Sequence, residues 1–355
     1  MSERLARVRD RLAQARLDAL IVNGAANLRY LTGFTGSNGV AIIGEQAVFL
    51  TDFRYREQAE LEIDGAFARR IVAQDLLSEI AAATPAGRVG FDEATTTVAG
   101  LHKLKAALDG RVELVEGGGI VEDLRVVKDA AEVERLAGAA ALVDGIYEWL
   151  VERGFAGRTE RDVAIELEHE MRVRGALAPS FPSIVAAGAR AALPHAHPRD
   201  ATIEPGTLVI VDIGAVLDGY CSDCTRTFAV GEPSQQAREI YELVLAAQLR
   251  GLDALRAGRR GVDVDADVRA LIADAGYAEH YGHGLGHGVG LQIHERPRLS
   301  YQDADEVLQV GTVVTVEPGV YLPETLGVRI EDLTVVTGNE PRRLSQFTKE
   351  LLVVD

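Results

Sequence analysis

Between Tyr281 and Glu295 the chain reads YGHGLGHGVGLQIHE, which sets three histidines, His283, His287 and His294, among five glycines. Imidazoles ligate metals and exchange protons near neutral pH, so their crowding points to a metal or catalytic site. Six of the eight histidines of the chain fall between His195 and His294. The glycines, at 282, 284, 286, 288 and 290, take every second position. In an extended segment they line one side, while His283, Leu285, His287 and Val289 line the other. One edge is then bare backbone, which lets another strand or a ligand come close.

Carboxylates embedded in apolar runs supply the complementary chemistry. The block TLVIVDIGAVLDGYCSDCTRTFAVG reads as two strands around Asp218-Gly219, a strong two-residue hairpin signal. With those two residues as the turn, Leu217 pairs with Tyr220, Gly214 with Asp223 and Asp212 with Thr225. Asp212 and Asp223 then share a face, diagonal to one another at roughly 7–8 Å between backbones, and Gly214 leaves space between them. Carboxylates converging in this way repel unless something positive sits there, and a metal is the natural candidate. The bland alternative, a solvated strand aspartate, suits Asp212 poorly because Val209, Ile210, Val211 and Ile213 flank it.

Glu317 ends the apolar run Val313 to Val316 ahead of Pro318-Gly319, and Glu331 follows Val328, Arg329 and Ile330. A glutamate buried after so apolar a run needs a partner or a cation. Arg329 and Glu331, two apart, face the same side, and a surface salt bridge between them is an equal alternative. Together Asp212, Asp223, Glu317, Glu331 and one histidine carry too much negative charge for one divalent ion. Two ions sharing bridging carboxylates fit better. Oxygen-rich, thiolate-free ligation suits Mn²⁺, with Co²⁺ or Zn²⁺ as alternatives.

These residues need a frame, and 355 residues exceed what a single core usually serves. Two domains are expected, residues 1–121 and 122–355. In the first, strands at Ala19 to Val22, Val40 to Ile43, Ala47 to Thr51, Arg70 to Ala73, Arg88 to Phe91 and Val112 to Val115 alternate with short helices, which is an α/β pattern. The polar, Gly-rich piece Asn23 to Gly39 reads as its one long loop. Gly117, Gly118 and Gly119 then punctuate the chain. A long helix follows near Asp129, where Asp129 and Glu132 resemble a capping box, and a second begins at Thr159 with Asp162 in the same relation. Strand, helix and strand blocks recur to the end, indicating an α+β second domain with a curved antiparallel sheet.

Charge and composition narrow the class. A net charge of −17 disfavours nucleic acid and anionic membranes as partners. No run approaches a membrane span, and MSERLARVRDRLAQARL is a charged amphipathic helix without a signal peptide's apolar stretch, so a cytoplasmic protein is expected. Cys221 and Cys224 cannot build a disulfide framework. Their C-x-x-C spacing invites a redox reading, but in a β-like run the odd spacing sends the two thiols to opposite faces. A nucleotide loop is also disfavoured: the Gly-rich stretch never yields G-x-G-x-x-G, the sixth positions being His287, Val289 and Leu291.

In order, ALPH, VDIGA, GYCSDCTRT, GHGVGLQIHE, TVEPGVY and GVRIED resemble the signature of the pita-bread metallopeptidases, in the branch of Xaa-Pro aminopeptidases and Xaa-Pro dipeptidases (prolidases). NLRYLTGFTGS and LTDFRYREQA resemble the creatinase-type N-terminal domain that precedes that catalytic domain. The resemblance implies metal ligands at Asp212, Asp223, His287, Glu317 and Glu331. It implies substrate and transition-state groups at His195, His294 and Arg329, and a further active-site histidine at His283. The implied activity is hydrolysis of the bond between an N-terminal residue and proline in short peptides, with Glu317 as base and then acid. Arg298, four residues after His294, could meet a dipeptide's C-terminal carboxylate, or be an exposed loop arginine. Implied too are a homodimer and an N-terminal domain closing over the site, with Asn23 to Gly39 as the lid. His102, His169, His197 and His280 have no such counterpart and read as surface residues. Creatinase, a metal-free homologue, and non-catalytic peptide-binding relatives are disfavoured because both routes lose the ligands retained here.

Overall fold

Ala19–Val22 has no polar side chain and is buried along its whole length, as a strand covered on both faces must be. It lies inside a six-stranded mixed sheet, antiparallel to Gly39–Ile43 and parallel to Gly87–Phe91. Ala47–Asp52 and Ala68–Val72 extend one side of this sheet and Val112–Glu116 the other. Ile80 and Ala81 of helix Leu76–Ala83, with Leu104 and Leu108 of helix Val98–Leu108, join the sheet's apolar residues in one cluster. The structure, a computed structural model, describes residues 2–73, 75–108, 110–302 and 306–355. The chain divides into two compact units, Met1–Arg125 and Val126–Asp355.

Two features of the first unit depart from expectation. Asn23 to Gly39 is not one long loop: Ala25–Thr32 is a helix that buries Asn27, Leu28, Tyr30 and Leu31 and ends at Gly33 in the left-handed region, φ 82°. The glycines and asparagines that suggested a loop are caps and turns, while Leu28 and Leu31, three apart, carry the buried face. A further helix, Ile120–Val126, follows the three glycines, and all of it except Val126 lies in the first unit. Asn27 ties it down, donating to Glu122 Oε1 at 2.6 Å and accepting from Arg125 Nη1 at 2.7 Å, while the Tyr30 hydroxyl donates to the Leu124 carbonyl at 3.1 Å.

The second unit opens with helix Ala130–Arg153, whose capping box between Asp129 and Glu132 is present, and helix Glu160–Val173, capped by Thr159 and Asp162 in the same way. Helices Gln235–Ala254 and Gly261–Asp274 contribute to one apolar core of this unit, with Leu285, Val314 and Val328 among its members. Among the described residues no helix is long and apolar enough to cross a membrane. Among the described residues the strands of this unit, almost all antiparallel, fall in four hydrogen-bonded sheets. In one of them Thr207–Ile213 pairs with Cys224–Val230 and with Ile184–Ala187. The hairpin turn has positive φ at both Asp218 (48°) and Gly219 (79°), which a two-residue turn between right-twisted strands requires. It sets Leu217 opposite Tyr220 and, further down, Asp212 opposite Thr225.

A second sheet places Gly286–Gly288 between Glu295–Leu299 and Val313–Val316. Close approach is what its glycines permit. A Cβ on Gly286 would lie 2.1 Å from the Thr315 carbonyl oxygen, and one on Gly288 2.3 Å from that of Arg296. The four side chains between the glycines do not share one face, however. Leu285 and Val289 enter two different apolar clusters, while His283 and His287 face a cavity. The ladder is regular only over Gly286 and His287 and shifts register between His287 and Gly288, which breaks the period of two.

Behind these strands lies Arg226, only 2% exposed. Its guanidinium pairs with Asp332 at 2.8 Å and donates to the carbonyls of Glu331, Phe347 and Thr348. Asp332 also accepts from Lys349 Nζ at 2.6 Å and Gln248 Nε2 at 3.1 Å. Burial pushes the Asp332 carboxyl up, but Arg226 and Lys349 outweigh it and hold it below the usual range. Breaking such a pair from one side strands a buried charge, so Arg226→Met is expected to lower stability by about 3–5 kcal/mol in urea unfolding. A loss below about 1 kcal/mol would mean that Asp332 is served by Lys349 and Gln248 alone.

Candidate active site

A cavity of about 660 Å³ opens in the second unit, and strands from both sheets point carboxylates into it. Asp212 comes from the end of Thr207–Ile213 and Asp223 from the residues just before Cys224–Val230. Glu317 follows Val313–Val316, and Glu331 immediately precedes Asp332–Val335. His287 stands at the centre of Gly286–Gly288. All five line the cavity. Among the described residues, ligand atoms of Asp223, His287 and Glu331 lie within 4.8 Å of one another. The His287 Nε2 atom is 3.5 Å from Asp223 Oδ2 and 3.4 Å from Glu317 Oε1.

The pairing of these groups leaves acceptors unused. Arg329 Nη2 donates to Asp212 Oδ2 at 2.7 Å, so Arg329 pairs with Asp212 and not, at the surface, with Glu331. Both residues of that alternative pair are buried, Arg329 at 3% and Glu331 at 1% exposure. Thr225 Oγ1 donates to Glu331 Oε2 at 2.8 Å and accepts from Arg329 Nε at 3.1 Å, while Thr315 Oγ1 donates to Glu317 Oε1 at 3.0 Å. Among the described residues, Asp212 Oδ1 and Glu331 Oε1 remain buried without a hydrogen-bond partner. Burial, reinforced by the neighbouring carboxylates, pushes the Asp223 and Glu331 carboxyls well above their ordinary values, and burial raises Glu317 as well. Burial lowers His287, favouring the neutral imidazole that ligates metals. Orphaned oxygens, mutually repelling carboxylates and a neutral imidazole form a donor set that a divalent cation completes.

Around this floor stands a wall of polar groups. His195, His283, His294 and Arg298 all line the cavity, as does His197. The His294 ring sits edge-on to that of His287, with centroids 4.4 Å apart. His283 Nε2 is 2.9 Å from the Tyr321 hydroxyl, which also accepts from Arg329 Nη1 at 2.9 Å. A continuous chain, His283–Tyr321–Arg329–Asp212, thus joins wall to floor. Burial lowers the pKa of His283. His280, expected at the surface, is half-buried, with Nδ1 3.1 Å from the Tyr321 carbonyl oxygen.

Sequence reasoning overlooked Tyr321, Thr225 and Thr315. Thr225 carried a signal, since the hairpin register puts it directly opposite Asp212. Thr315 carried one too, standing two residues before Glu317 on the same strand face. The two cysteines are free and buried in different apolar clusters, and burial pushes the Cys224 thiol well up, the opposite of an activated thiol.

Residues 131–338 match metallopeptidase family M24, and residues 4–127 match the creatinase/prolidase N-terminal domain. An uncharacterized peptidase of Bacillus subtilis is 42% identical over 356 residues, covering 99% of this chain and 100% of the relative. The solved Xaa-Pro dipeptidase of Bacillus anthracis superposes with a TM-score of 0.95 at 40% identity over 99% of each chain. The solved X-Pro aminopeptidase of Thermotoga maritima superposes with a TM-score of 0.91 at 33% identity, covering 99% of this chain and 100% of that one.

Proposed function

Because the chain belongs to metallopeptidase family M24 and carries the creatinase/prolidase N-terminal domain, we propose that it hydrolyses the peptide bond between a first residue and proline in short peptides. The observation that carries this reading is the set of four carboxylates and one imidazole converging in a single cavity, with Asp212 Oδ1 and Glu331 Oε1 left without partners. Divalent metal dependence follows from the family. We assign two ions, Mn²⁺ first, to Asp212, Asp223, His287, Glu317 and Glu331. Ions bound there polarise the scissile carbonyl and make water a better nucleophile.

The protein's own groups do the rest. An Xaa-Pro bond is a tertiary amide, and its nitrogen leaves only once protonated. Glu317 takes the proton of the attacking water and returns it to the prolyl nitrogen. Its carboxyl, raised by burial and oriented by Thr315, suits a group that must hold a proton between two steps. His294 and His195 face the carbonyl side of the substrate and stabilise the developing oxyanion. Arg329, braced by Thr225 and Tyr321, holds Asp212 in place. A homodimer and a cytoplasmic setting complete the proposal.

Two substrate ranges remain within it, an aminopeptidase that accepts longer peptides and a dipeptidase restricted to Xaa-Pro. Arg298 on the cavity wall favours the second, because a guanidinium there matches a dipeptide's terminal carboxylate. Ala-Pro is therefore expected to turn over faster than Ala-Pro-Ala, and Arg298→Ala to raise KM for Ala-Pro while leaving Ala-Pro-Ala nearly unchanged. Equal kcat/KM for the two peptides, insensitive to Arg298, would return the assignment to a general Xaa-Pro aminopeptidase.

A further inference from the structure

We infer that Arg269 and Asp265, neither of which lines the cavity, are a positioning pair that fixes the wall segment carrying His283. The inference rests on the proposed Xaa-Pro hydrolysis and on the resemblance that makes His283 a further active-site histidine. Residues 281–285 lead into the short strand Gly286–Gly288 but belong to no strand themselves. Side chains hold much of the segment, while Leu285 is also held by main-chain bonds, its N–H donating to the Leu299 carbonyl at 2.7 Å and its carbonyl accepting from the Glu317 N–H at 2.8 Å. Arg269 donates through Nη1 to the Tyr281 carbonyl at 2.8 Å and through Nη2 to the His283 carbonyl at 2.7 Å. Asp265 Oδ1 accepts from the Leu285 N–H at 3.0 Å. Three backbone groups at alternate residues are thus bound by one pair of side chains, as an adjacent strand would bind them.

The pair is well suited to this. Asp265 and Arg269 stand one turn apart on helix Gly261–Asp274 and are joined by two bonds, 3.0 and 3.1 Å, so the guanidinium is forked onto a carboxylate only 1% exposed. Val264, Val268 and Ile272 of the same helix are fully buried in the apolar core, which makes the helix a rigid base. The Arg269 guanidinium lies over two rings, Tyr281 at 4.3 Å and Tyr301 at 4.8 Å. Tyr281 in turn stands edge-on to the His283 ring, with centroids 5.2 Å apart. Both the backbone and the ring of His283 are therefore located from Arg269, while the Tyr321 hydroxyl sets Nε2 from the other side.

A helix-to-loop staple could be purely structural, and a double-mutant cycle in the full-length, Mn²⁺-loaded enzyme separates the two cases. Ala-Pro hydrolysis is measured for Arg269→Met, His283→Ala and the double variant, with Mn²⁺ affinity of each followed by calorimetry. Arg269→Met is expected to lower kcat/KM by about ten- to a hundredfold, the scale of a misplaced catalytic group. Its Mn²⁺ affinity should stay within about threefold of the unmodified enzyme, well short of the effect of losing a group that orients a ligand. The double variant should be no slower than His283→Ala alone. Multiplicative losses, or a fall in Mn²⁺ affinity that accounts for the lost activity, would overturn the positioning role alone. A His283→Ala enzyme at full speed would overturn it together with the role of His283. Arg269→Lys keeps the charge over the rings with fewer donors. It should lose less activity and show the same coupling to His283, so the cycle can be read even where the methionine variant folds poorly.

Discussion

Glu317→Gln is expected to lower kcat by about 10²–10⁴-fold, the usual worth of a positioned general base. Glutamine keeps the shape and can still accept from Thr315 Oγ1, but it cannot take a proton from water or deliver one to the prolyl nitrogen. The size of the effect follows from the substrate. An amide nitrogen leaves only once it is protonated, and the prolyl nitrogen, which carries no hydrogen in the Xaa-Pro bond, must take that proton from a positioned acid. Glu317 is also proposed as a ligand, so Mn²⁺ binding must be followed beside the rate. The expected result is a deep loss of kcat at saturating Mn²⁺, with KM for Ala-Pro changed little. A variant that regained near wild-type turnover when Mn²⁺ was raised would show that Glu317 only holds the cation.

Stripping the metal should have the second large effect, and in two independent readouts. Dialysis against a chelator is expected to abolish hydrolysis, and added Mn²⁺ to restore it. Stability should move in the same direction. A cation that binds only the folded state adds about 2.7 kcal/mol at a hundredfold excess over Kd, which corresponds to roughly 5–10 °C in Tm for a unit of this size. Protons should move as well. Burial and mutual repulsion raise the Asp223 and Glu331 carboxyls, which favours their protonated forms in the metal-free protein, and a bound cation opposes that. Titration calorimetry in buffers of different ionisation enthalpy should therefore show net proton release on Mn²⁺ binding, increasing as pH falls. Full activity after exhaustive chelation, with an unchanged Tm, would rule out a metal at these residues.

What could be read from the chain and what could not divides along sequence separation. Asp212 and Asp223 belong to one hairpin, and its register is set by a turn only a few residues away, where Asp218 and Gly219 both adopt positive φ. Asp212, Glu317 and Glu331 were legible because each closes or interrupts an apolar run, and Asp223 through the hairpin register, whereas His287 was singled out among the histidines by the family resemblance alone. The Arg226 network was not legible: beyond the neighbouring Thr225 and Cys224, its partners lie more than a hundred residues away and several are main-chain carbonyls, which leave no mark on residue type. Tyr321 was overlooked for a related reason. Its hydroxyl matters through His283 and Arg329, both brought to it by the fold. The shared face assigned to His283, Leu285, His287 and Val289 failed because a period of two presumes a regular strand. Here a register shift interrupts it after only two regular pairs. In Ala25–Thr32, loop-like composition masked a helix whose apolar positions were few but correctly spaced.

The guanidinium of Arg226 also bears on how the protein is made. Two of the carbonyls it binds belong to Phe347 and Thr348, and the Asp332 it neutralises is shared with Lys349. A chain interrupted before residue 347 would contain every proposed ligand and the whole cavity wall, yet would leave a permanent cation in an apolar interior with two of its acceptors missing. Such a fragment should stay open and be cleared, so the hydrolytic centre becomes stable only after synthesis has run past it.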